Sequence, residues 1–156
     1  MKLLMIGCIL LLSVVGFKPG QQNKNHKAAT IDTAKYTILQ FDENRDYDRF
    51  DKDAKPVVLS AEDIKKVDDL FKVAVKKHGK QSKYNPQSAA RYYKQIVAVI
   101  NSRGEKIIWI NCFCANDFPY WKTTLVSVLD GGSCFFNLNI NLSTGEDYNF
   151  AVNGVA

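Results

Sequence analysis

Apolar and polar residues alternate with a period of two through the second half of the chain, the pattern of β-strands that have one buried face. Two such runs flank the tripeptide SRG at 102–104 and therefore predict a β-hairpin. Glycine-containing turns and a loop with Pro119 separate three further runs, and a short β-prone run, KYTILQF, lies near the beginning. The predicted strands are 35–41, 93–101, 105–114, 122–130, 133–142 and 147–153.

The clearest helix in the pattern begins after Ser60. Apolar residues recur there at spacings of three and four, which places them on one face of a helix. Ser60 and Asp63 fit a capping box at its beginning, and Gly79 suits its C-terminal end. A second, short helix is expected to begin at Asn85-Pro86.

The order of elements is therefore one strand, one long helix and about five strands joined mostly by tight turns. This order predicts an α+β domain in which the helix packs on a curved antiparallel sheet of about five to six strands. It resembles the element order of cystatin-like and NTF2-like folds, a resemblance of architecture that does not fix function.

The alternation also assigns the side chains of two strands to faces of the sheet. Ile108 and Ile110 mark the face that the helix should cover, and Cys112, Cys114 and Cys134 should point the same way. The opposite face is expected to meet water and combines rings with amides, which suits carbohydrate or protein binding. The alternative is that residues 42–56, the N-terminal strand or a second subunit covers it. The candidate binding residues are Trp109, Asn111, Phe113, Asn137 and Asn139.

The N-terminal residues have the layout of a signal peptide: Lys2, an apolar run and the small residue Gly16. The run is shorter than the roughly 20 apolar residues that span a bilayer. We therefore expect a signal peptide at 1–16, cleaved after Gly16, a flexible leader at 17–34 and a single α+β domain at 35–156. The protein is expected in the periplasm or outside the cell. Cys8 lies inside the apolar run, which argues against lipoprotein anchoring there.

The net charge of +5 comes mainly from lysines between residues 60 and 94. A mildly basic exported protein could meet anionic glycans or lipid headgroups, although a solvated helix face explains the same lysines. Export and the lack of a nucleic-acid-binding motif argue against DNA or RNA as a partner.

Three cysteines remain after export, and exported proteins are the ones that form disulfides. If 122–130 is a strand between those that carry the cysteines, Cys134 lies on the order of 15 Å from Cys112 and Cys114. Bridged Cα atoms lie within about 7 Å of each other. A bridge to Cys134 therefore requires the loop around Pro119 to reorder the strands.

Metal binding and thiol catalysis have less support in the residues. Structural zinc sites use four ligands, and besides the cysteines only His26 and His78 are available. A catalytic thiol needs an exposed, electropositive setting, whereas the alternation turns the cysteines toward the core. A disulfide, buried thiols, a metal site and a catalytic thiol all stay open as alternatives, but we assign no metal ligand, cofactor or catalytic residue.

Two segments match known motifs in part. Residues 42–53 carry acidic and amide residues at the spacing of a calcium loop, but Tyr47 replaces the turn glycine and Asp53 the final glutamate. Residues 95–99, QIVAV, resemble the Gln-x-Val-x-Gly hairpin of cystatin protease inhibitors, with Val99 in place of the glycine. We therefore interpret the first as a solvated loop and the second as an ordinary strand.

Three segments carry a further resemblance: residues 100–114 (INSRGEKIIWINCFC), 129–142 (LDGGSCFFNLNINL) and the closing VNGVA. They resemble an uncharacterised group of small exported proteins from Bacteroidetes. Its members share an Asn-x-x-Gly-Glu-Lys hairpin, a Trp-x-Asn-Cys-Phe-Cys strand, an Asp-Gly-Gly-x-Cys turn and a final Val-Asn-Gly. The resemblance implies source and export and carries over no catalytic residue.

These patterns favour an exported, non-enzymatic binding protein of unknown ligand, which binds a glycan or a protein through the aromatic and asparagine face. One alternative is a small thiol- or metal-dependent hydrolase centred on Cys112 and Cys114, which requires a low-pKa exposed thiol or a bound metal. The other is a protease inhibitor of cystatin-like type, which requires the hairpin at 102–104 to enter a protease cleft.

Overall fold

The computed structural model describes residues 33–80, 86–115 and 117–154. The predicted signal peptide with its cleavage position, Cys8, most of the predicted leader and Asn85 lie outside these residues. Within the three described ranges, no helix combines the length and the apolar character that a membrane crossing requires.

Six strands form one open sheet, and one main helix packs on it. The strands are β1 (Tyr36–Ile38), β2 (Lys55–Pro56), β3 (Tyr93–Ile100), β4 (Lys106–Phe113), β5 (Phe135–Asn141) and β6 (Glu146–Val152). The α-helices are α1 (Glu43–Asp46) and α2 (Ala61–Gly79), and single 3₁₀ turns cover Thr33–Lys35, Ala89–Arg91 and Gly132–Cys134.

Strands β3 to β6 form an antiparallel meander. The outer edge of β3 pairs with β1 along residues 94–96 and with β2 along residues 99–100, so the two short strands follow one another along this edge. β1 runs parallel to β3, which makes the sheet mixed rather than wholly antiparallel. The prediction of an α+β fold with one long helix on a sheet of five to six strands is confirmed. The predicted hairpin between β3 and β4 is also confirmed.

Helix α2 begins with the predicted capping box. The Ser60 hydroxyl accepts from the backbone N–H of Asp63 at 3.1 Å, and the Asp63 carboxylate accepts from the backbone N–H of Ser60 at 2.9 Å. The two residues thereby satisfy donors that the first turn leaves free. The helix includes Gly79 and is capped by Lys80, two residues later than a glycine at the C′ position predicted.

The first face of the sheet, which α2 covers, carries the main core. The Phe71 ring of α2 is fully buried and stacks on Phe136 of β5, with 6.2 Å between ring centroids. Each apolar side chain buried in this way stabilises the fold by about 1.5–3 kcal/mol. The alternation assigned this face correctly, since the following residues are all buried in it: Ile108, Ile110, Cys112, Phe136, Leu138, Ile140 and Leu142.

Three predicted elements differ in the structure. The predicted strand at 122–130 is wrong: this segment has no strand conformation and lies across the other face of the sheet. The predicted first strand is shortened to β1, and Leu39, which follows it, is buried against Val97 and Trp109 on that other face. The expected helix after Pro86 is a single 3₁₀ turn at Ala89–Arg91.

Candidate binding cleft on the second face of the sheet

The second face of the sheet, which points away from α2, is covered by two segments of the same chain. Residues 117–130 form the covering loop, which lies over the beginning of β3 and the end of β4. Residues 39–54 form the N-terminal arm, which lies over the middle of the face. Beside the arm, at the end of the face near the β3–β4 turn, the surface contains a cleft.

Gln95 of β3 holds the covering loop in place. Its side-chain amide donates to the carbonyl groups of Trp121 and Thr124, and its oxygen accepts from the N–H of Val126 at 2.8 Å and from Asn111 at 3.1 Å. A glutamine amide has two donor hydrogens and two acceptor sites, so the hydrogen-bonding capacity of Gln95 is fully used. The side chain is fully buried, where an unpaired amide would be costly.

Rings from the loop and the sheet pack together beside this amide. The Trp121 ring of the covering loop lies edge-on to Phe113 of β4 and to Tyr93 of β3, with centroids 5.7 and 5.4 Å away. Phe118 packs in the same way on Phe113 at 5.6 Å. Aromatic pairs prefer such edge-to-face contacts, which add to the free energy of burial. The covering loop is thus part of the hydrophobic core.

The N-terminal arm is fixed by an arginine that stacks on a tryptophan. The Arg49 guanidinium lies 4.4 Å from the centroid of the Trp109 ring, within cation–π range. The same guanidinium pairs with the buried Asp46 carboxylate at 3.0 Å, and Asp46 also pairs with Arg45 at 2.6 Å. The backbone carbonyl of Arg49 accepts from the Asn139 side chain at 3.2 Å, which ties the arm to β5.

Asp46 belonged to the partial calcium-loop pattern, and its carboxylate is engaged by two arginines instead. Burial raises the pKa of this carboxyl, but the hydrogen bonds from Arg45 and from the backbone of Asp42, together with the charge of Arg49, lower it by more. The net pKa lies below the ordinary value, so Asp46 is ionised in its ion pairs. Within residues 33–80, 86–115 and 117–154, no three His, Cys, Asp or Glu side chains are grouped as a metal site would require.

The expectation that the candidate binding residues meet water is wrong for three of the five. Trp109, Phe113 and Asn139 are 6%, 0% and 2% exposed, and Asn111 and Asn137 are partly buried. The alternation correctly placed all five on the face opposite α2. A period of two identifies a face but contains no information about which distant segment covers it. The alternative, that residues 42–56 cover this face, describes part of what the structure contains, because the arm at residues 39–54 packs on the middle of the face.

A cleft of about 440 Å³ lies between the arm, the β3–β4 turn and β6. The apolar residues of its floor are Val99 and Ile107 of the sheet and Ala54 of the arm, which are buried, and Phe50 of the arm, which is partly exposed. Polar side chains from three separate segments surround the floor. They are Asp48 and Asp51 of the arm, Arg103 of the β3–β4 turn, and Glu146, Tyr148 and Asn149 of β6.

A bulge in β6 shapes one wall of the cleft. Tyr148 is opposite Asn139, but Ala151 is opposite Asn137, so β6 has one extra residue between these pairs. Asn149 adopts a left-handed backbone with φ of 51°, a conformation that asparagine tolerates better than most residues. Bulges re-aim neighbouring side chains, and both Tyr148 and Asn149 line the cleft.

Both arginines of the cleft already have carboxylate partners, and Arg49 also lies 3.7 Å from the Asp48 carboxylate. Arg49 is paired with Asp46, and Arg103 is paired with Glu105 at 2.7 Å. Asp51 and Glu146 form no ion pair with any residue in the described part of the chain. Burial raises the pKa of the Tyr148 hydroxyl and the nearby Asp51 carboxylate raises it further, so this hydroxyl stays protonated. The cleft therefore offers a hydroxyl group and uncommitted carboxylates.

The cysteine question is answered by a disulfide between Cys114 and Cys134, whose Cα atoms are 5.0 Å apart. The expectation that such a bridge requires reordered strands is wrong. β4 and β5 are neighbours in a simple meander with Phe113 opposite Phe135, so the residues just beyond that pair face each other. The geometric objection depended on a strand at 122–130 that the structure does not contain. Cys112 is a fully buried free thiol, and burial raises its pKa well above the ordinary value.

Three of the motifs that carried the family resemblance meet at one corner of the fold: the end of the Trp-x-Asn-Cys-Phe-Cys strand, the Asp-Gly-Gly-x-Cys turn and the final Val-Asn-Gly. The Asn153 side chain donates to the carbonyl groups of Val128 and Asp130, and the backbone N–H of Gly132 donates to the carbonyl of Gly154 at 2.9 Å. The disulfide closes the same corner. Gly131 has φ of 101°, and a Cβ there would overlap the Phe135 ring. These motifs therefore have structural roles.

His78, the one described histidine, links α2 to β6. It pairs with Asp147 and stacks on the Phe150 ring with 4.2 Å between centroids. Burial raises the pKa of Asp147, but hydrogen bonds from His78 and Lys77 lower it by more, so the carboxyl titrates below its ordinary range. This contact lies on the side of the sheet that α2 covers, away from the cleft.

Sequence reasoning missed the cleft residues because they come from segments far apart in the chain. Asp51 and Arg103 lie in turns that the alternation treats as ordinary polar positions, and Tyr148 lies in a strand with no distinctive pattern. The polar run at 42–53 does stand out in the sequence, but its spacing resembles a calcium loop rather than one side of a binding cleft. Comparisons of the chain with protein-family models, curated proteins and solved structures find no match.

Proposed function

We propose that the protein is an exported, non-enzymatic binding protein that holds its ligand in the cleft. The observation that carries this proposal is the cleft itself, which lies between the arm, the β3–β4 turn and β6. Its volume of about 440 Å³ falls within the range of roughly 300–1,000 Å³ typical of small-molecule sites. A ligand of this size is a small polar molecule or one unit of a glycan.

The geometry lends no support to a thiol hydrolase centred on the C-x-C strand. A nucleophilic cysteine must be accessible and ionised. Cys114 is joined to Cys134, and Cys112 is buried with a raised pKa. Neither cysteine lines the cleft. The polar side chains that do line it are suited to hydrogen bonding, which favours binding over covalent chemistry.

The protease-inhibitor alternative depended on the hairpin at 102–104. In the structure Arg103 is bound to Glu105, and Asn101 accepts from the backbone N–H groups of both residues. The turn is therefore rigid, and Arg103 forms one wall of the cleft. This placement favours a role for the hairpin in ligand binding.

Export is part of the proposal, and two observations support it. The first residues have the layout of a signal peptide, and the Cys114–Cys134 disulfide is the kind of crosslink that persists in oxidising compartments. We also propose that the chain belongs with the small exported Bacteroidetes proteins that it resembles. Support for this comes from the shared motifs, which in this fold build the disulfide corner and the β3–β4 turn.

The test is an NMR titration of the protein, purified in the form that the cell makes, with a library of small polar compounds. We expect a binding compound to shift the backbone amide signals of Asp51, Arg103 and Tyr148 together. The variant Tyr148→Ala should lose these shifts, and Tyr120→Ala should keep them, because Tyr120 is exposed on the covering loop. Shifts that occur only outside the cleft, or none with any compound, would contradict the proposal.

A further inference from the structure

We infer that the ligand of the cleft is a carbohydrate unit that is uncharged or carries an amine, and that the cleft selects against acidic sugars. This inference rests on the proposed binding function and names its ligand class. Three features of the cleft carry it: an apolar floor beside an accessible ring, hydrogen-bonding groups on several sides, and an excess of uncommitted carboxylates.

The floor fits the weakly polar face of a sugar ring. The partly exposed Phe50 ring supplies apolar surface at the bottom, where it packs against the buried side chains of Val99 and Ile107. The Tyr148 side chain is 41% exposed at the wall, so its ring is accessible to a ligand. Pyranose rings present C–H groups on one side, and these pack well on aromatic and aliphatic surfaces. A ligand that was polar on every side would leave this floor unused.

The rim fits hydroxyl groups that point in several directions. Carboxylates only accept hydrogen bonds, the Tyr148 hydroxyl donates and accepts, and the Asn149 amide does both. These groups come from the arm on one side and from β6 on the other, so they surround the floor. A sugar has several hydroxyl groups around its ring, each able to donate and accept. A flat aromatic ligand would leave most of these rim groups without partners.

The charges decide which sugars fit. Arg49 and Arg103 already have carboxylate partners, whereas Asp51 and Glu146 have no ion-pair partner among the described residues. The protein as a whole is basic, with a net charge of +5, so this local excess of negative charge is opposite to the overall charge. A ligand amine gains from the two free carboxylates, and a ligand carboxylate is repelled by them.

Isothermal titration calorimetry at neutral pH with D-glucosamine, methyl β-D-glucoside and D-glucuronic acid tests the inference. We expect glucosamine to bind most tightly, the glucoside more weakly and glucuronic acid most weakly. Tyr148→Ala should weaken the binding of the first two about tenfold, since the ring supplies the stacking contact. Tyr120→Ala is the matched control and should leave both affinities unchanged.

The carboxylate is tested separately. Asp51→Asn should remove the preference for glucosamine over the glucoside, because it lowers the affinity for glucosamine more than the affinity for the glucoside, and the control Asp117→Asn on the covering loop should change neither affinity. Tightest binding of glucuronic acid would overturn the inference. If no sugar binds but another compound shifts the cleft signals by NMR, the carbohydrate class is wrong and the binding function stands. If no compound shifts them, both are wrong.

Discussion

Asn111 donates a hydrogen bond to the side-chain oxygen of Gln95, its direct cross-strand neighbour, at 3.1 Å beneath the covering loop. Asn111 also donates to the carbonyl of Val126, and the Gln95 oxygen accepts from the N–H of the same residue. Two sheet amides thus bind one backbone position of the loop. Asn111, predicted as a ligand-binding group, therefore recognises the main chain of the protein itself.

Replacement of Gln95 by leucine should destabilise the fold strongly. The change leaves the carbonyl groups of Trp121 and Thr124 and the N–H of Val126 buried without partners, at about 1–3 kcal/mol each. We expect Gln95→Leu to lower the free energy of unfolding by at least about 3 kcal/mol, measured by urea denaturation. Gln40→Leu is the control, because the Gln40 side chain is exposed. Equal stability of Gln95→Leu and the wild type would contradict the hydrogen-bond network.

Removal of the Trp121 ring should open the covered face. Trp121 is 6% exposed and packs on Phe113 and Tyr93, so Trp121→Ala should cost about 3–5 kcal/mol of stability. The dye ANS, whose fluorescence rises on exposed apolar surface, should bind the variant and not the wild type. The neighbouring Tyr120→Ala should leave both measurements unchanged. If the two variants behaved alike, the covering loop would not be packed on the sheet.

The cysteine pairing predicts a specific pattern of alkylation. The exported protein, from which the predicted signal peptide with Cys8 has been removed, should gain one adduct, at Cys112, when it is denatured and alkylated without reduction. The folded protein should gain none, because that thiol is buried. Reduction should lower stability by about 3 kcal/mol, since it opens a loop closed by residues 20 positions apart. Intact-mass spectrometry counts the adducts, and three adducts in the non-reduced sample would show that the bridge is absent.

Asp63 should contribute stability that depends on pH. Hydrogen bonds from Lys106 and from the Ser60 backbone lower its pKa from 3.8 to about 2. A carboxyl whose pKa is lower in the folded state stabilises the protein above about pH 4, and this contribution is lost as the pH falls through about 2. Asp63→Asn should therefore cost roughly 1 kcal/mol at neutral pH and little at pH 2.

The control for this prediction is Glu62→Gln, which removes a neighbouring charge from the first turn of α2 and leaves the hydrogen bonds of the capping box intact. Its effect on stability should be small at both pH values. A stability difference between Asp63→Asn and the wild type that stays constant from neutral pH to pH 2 would contradict the assigned pKa.

Local patterns explain why much of the fold was predictable from the sequence. The capping box at Ser60 and Asp63 and the alternation in β4 and β5 depend on residues a few positions apart, and each sets a strong local preference. The failure at 122–130 has a physical cause. Leu125, Val126 and Val128 make the segment β-prone, but the side chains of Gln95, Asn111 and Asn153 hydrogen-bond its backbone instead of a neighbouring strand.

The candidate site was less predictable, because its residues meet only in the folded chain. Asp51, Arg103 and Tyr148 belong to three segments, and no spacing in the sequence connects them. Trp109 was correctly assigned to its face, but the stacking of Arg49 on it depends on the course of the arm. The preference for a disulfide followed from the expected compartment, whereas its feasibility followed from the pairing of Phe113 with Phe135.

The hydrogen bonds from Gln95 and Asn111 to the covering loop all go to main-chain atoms. Every amino acid except proline supplies the same main-chain groups, so the anchoring is insensitive to which side chains the loop presents outward. Exposed positions such as Tyr120 and Leu129 are therefore free to change identity while the loop keeps its course. The covering loop could therefore carry other side chains at its exposed positions and keep its hydrogen bonds to the sheet, which makes it suitable for presenting an introduced peptide sequence.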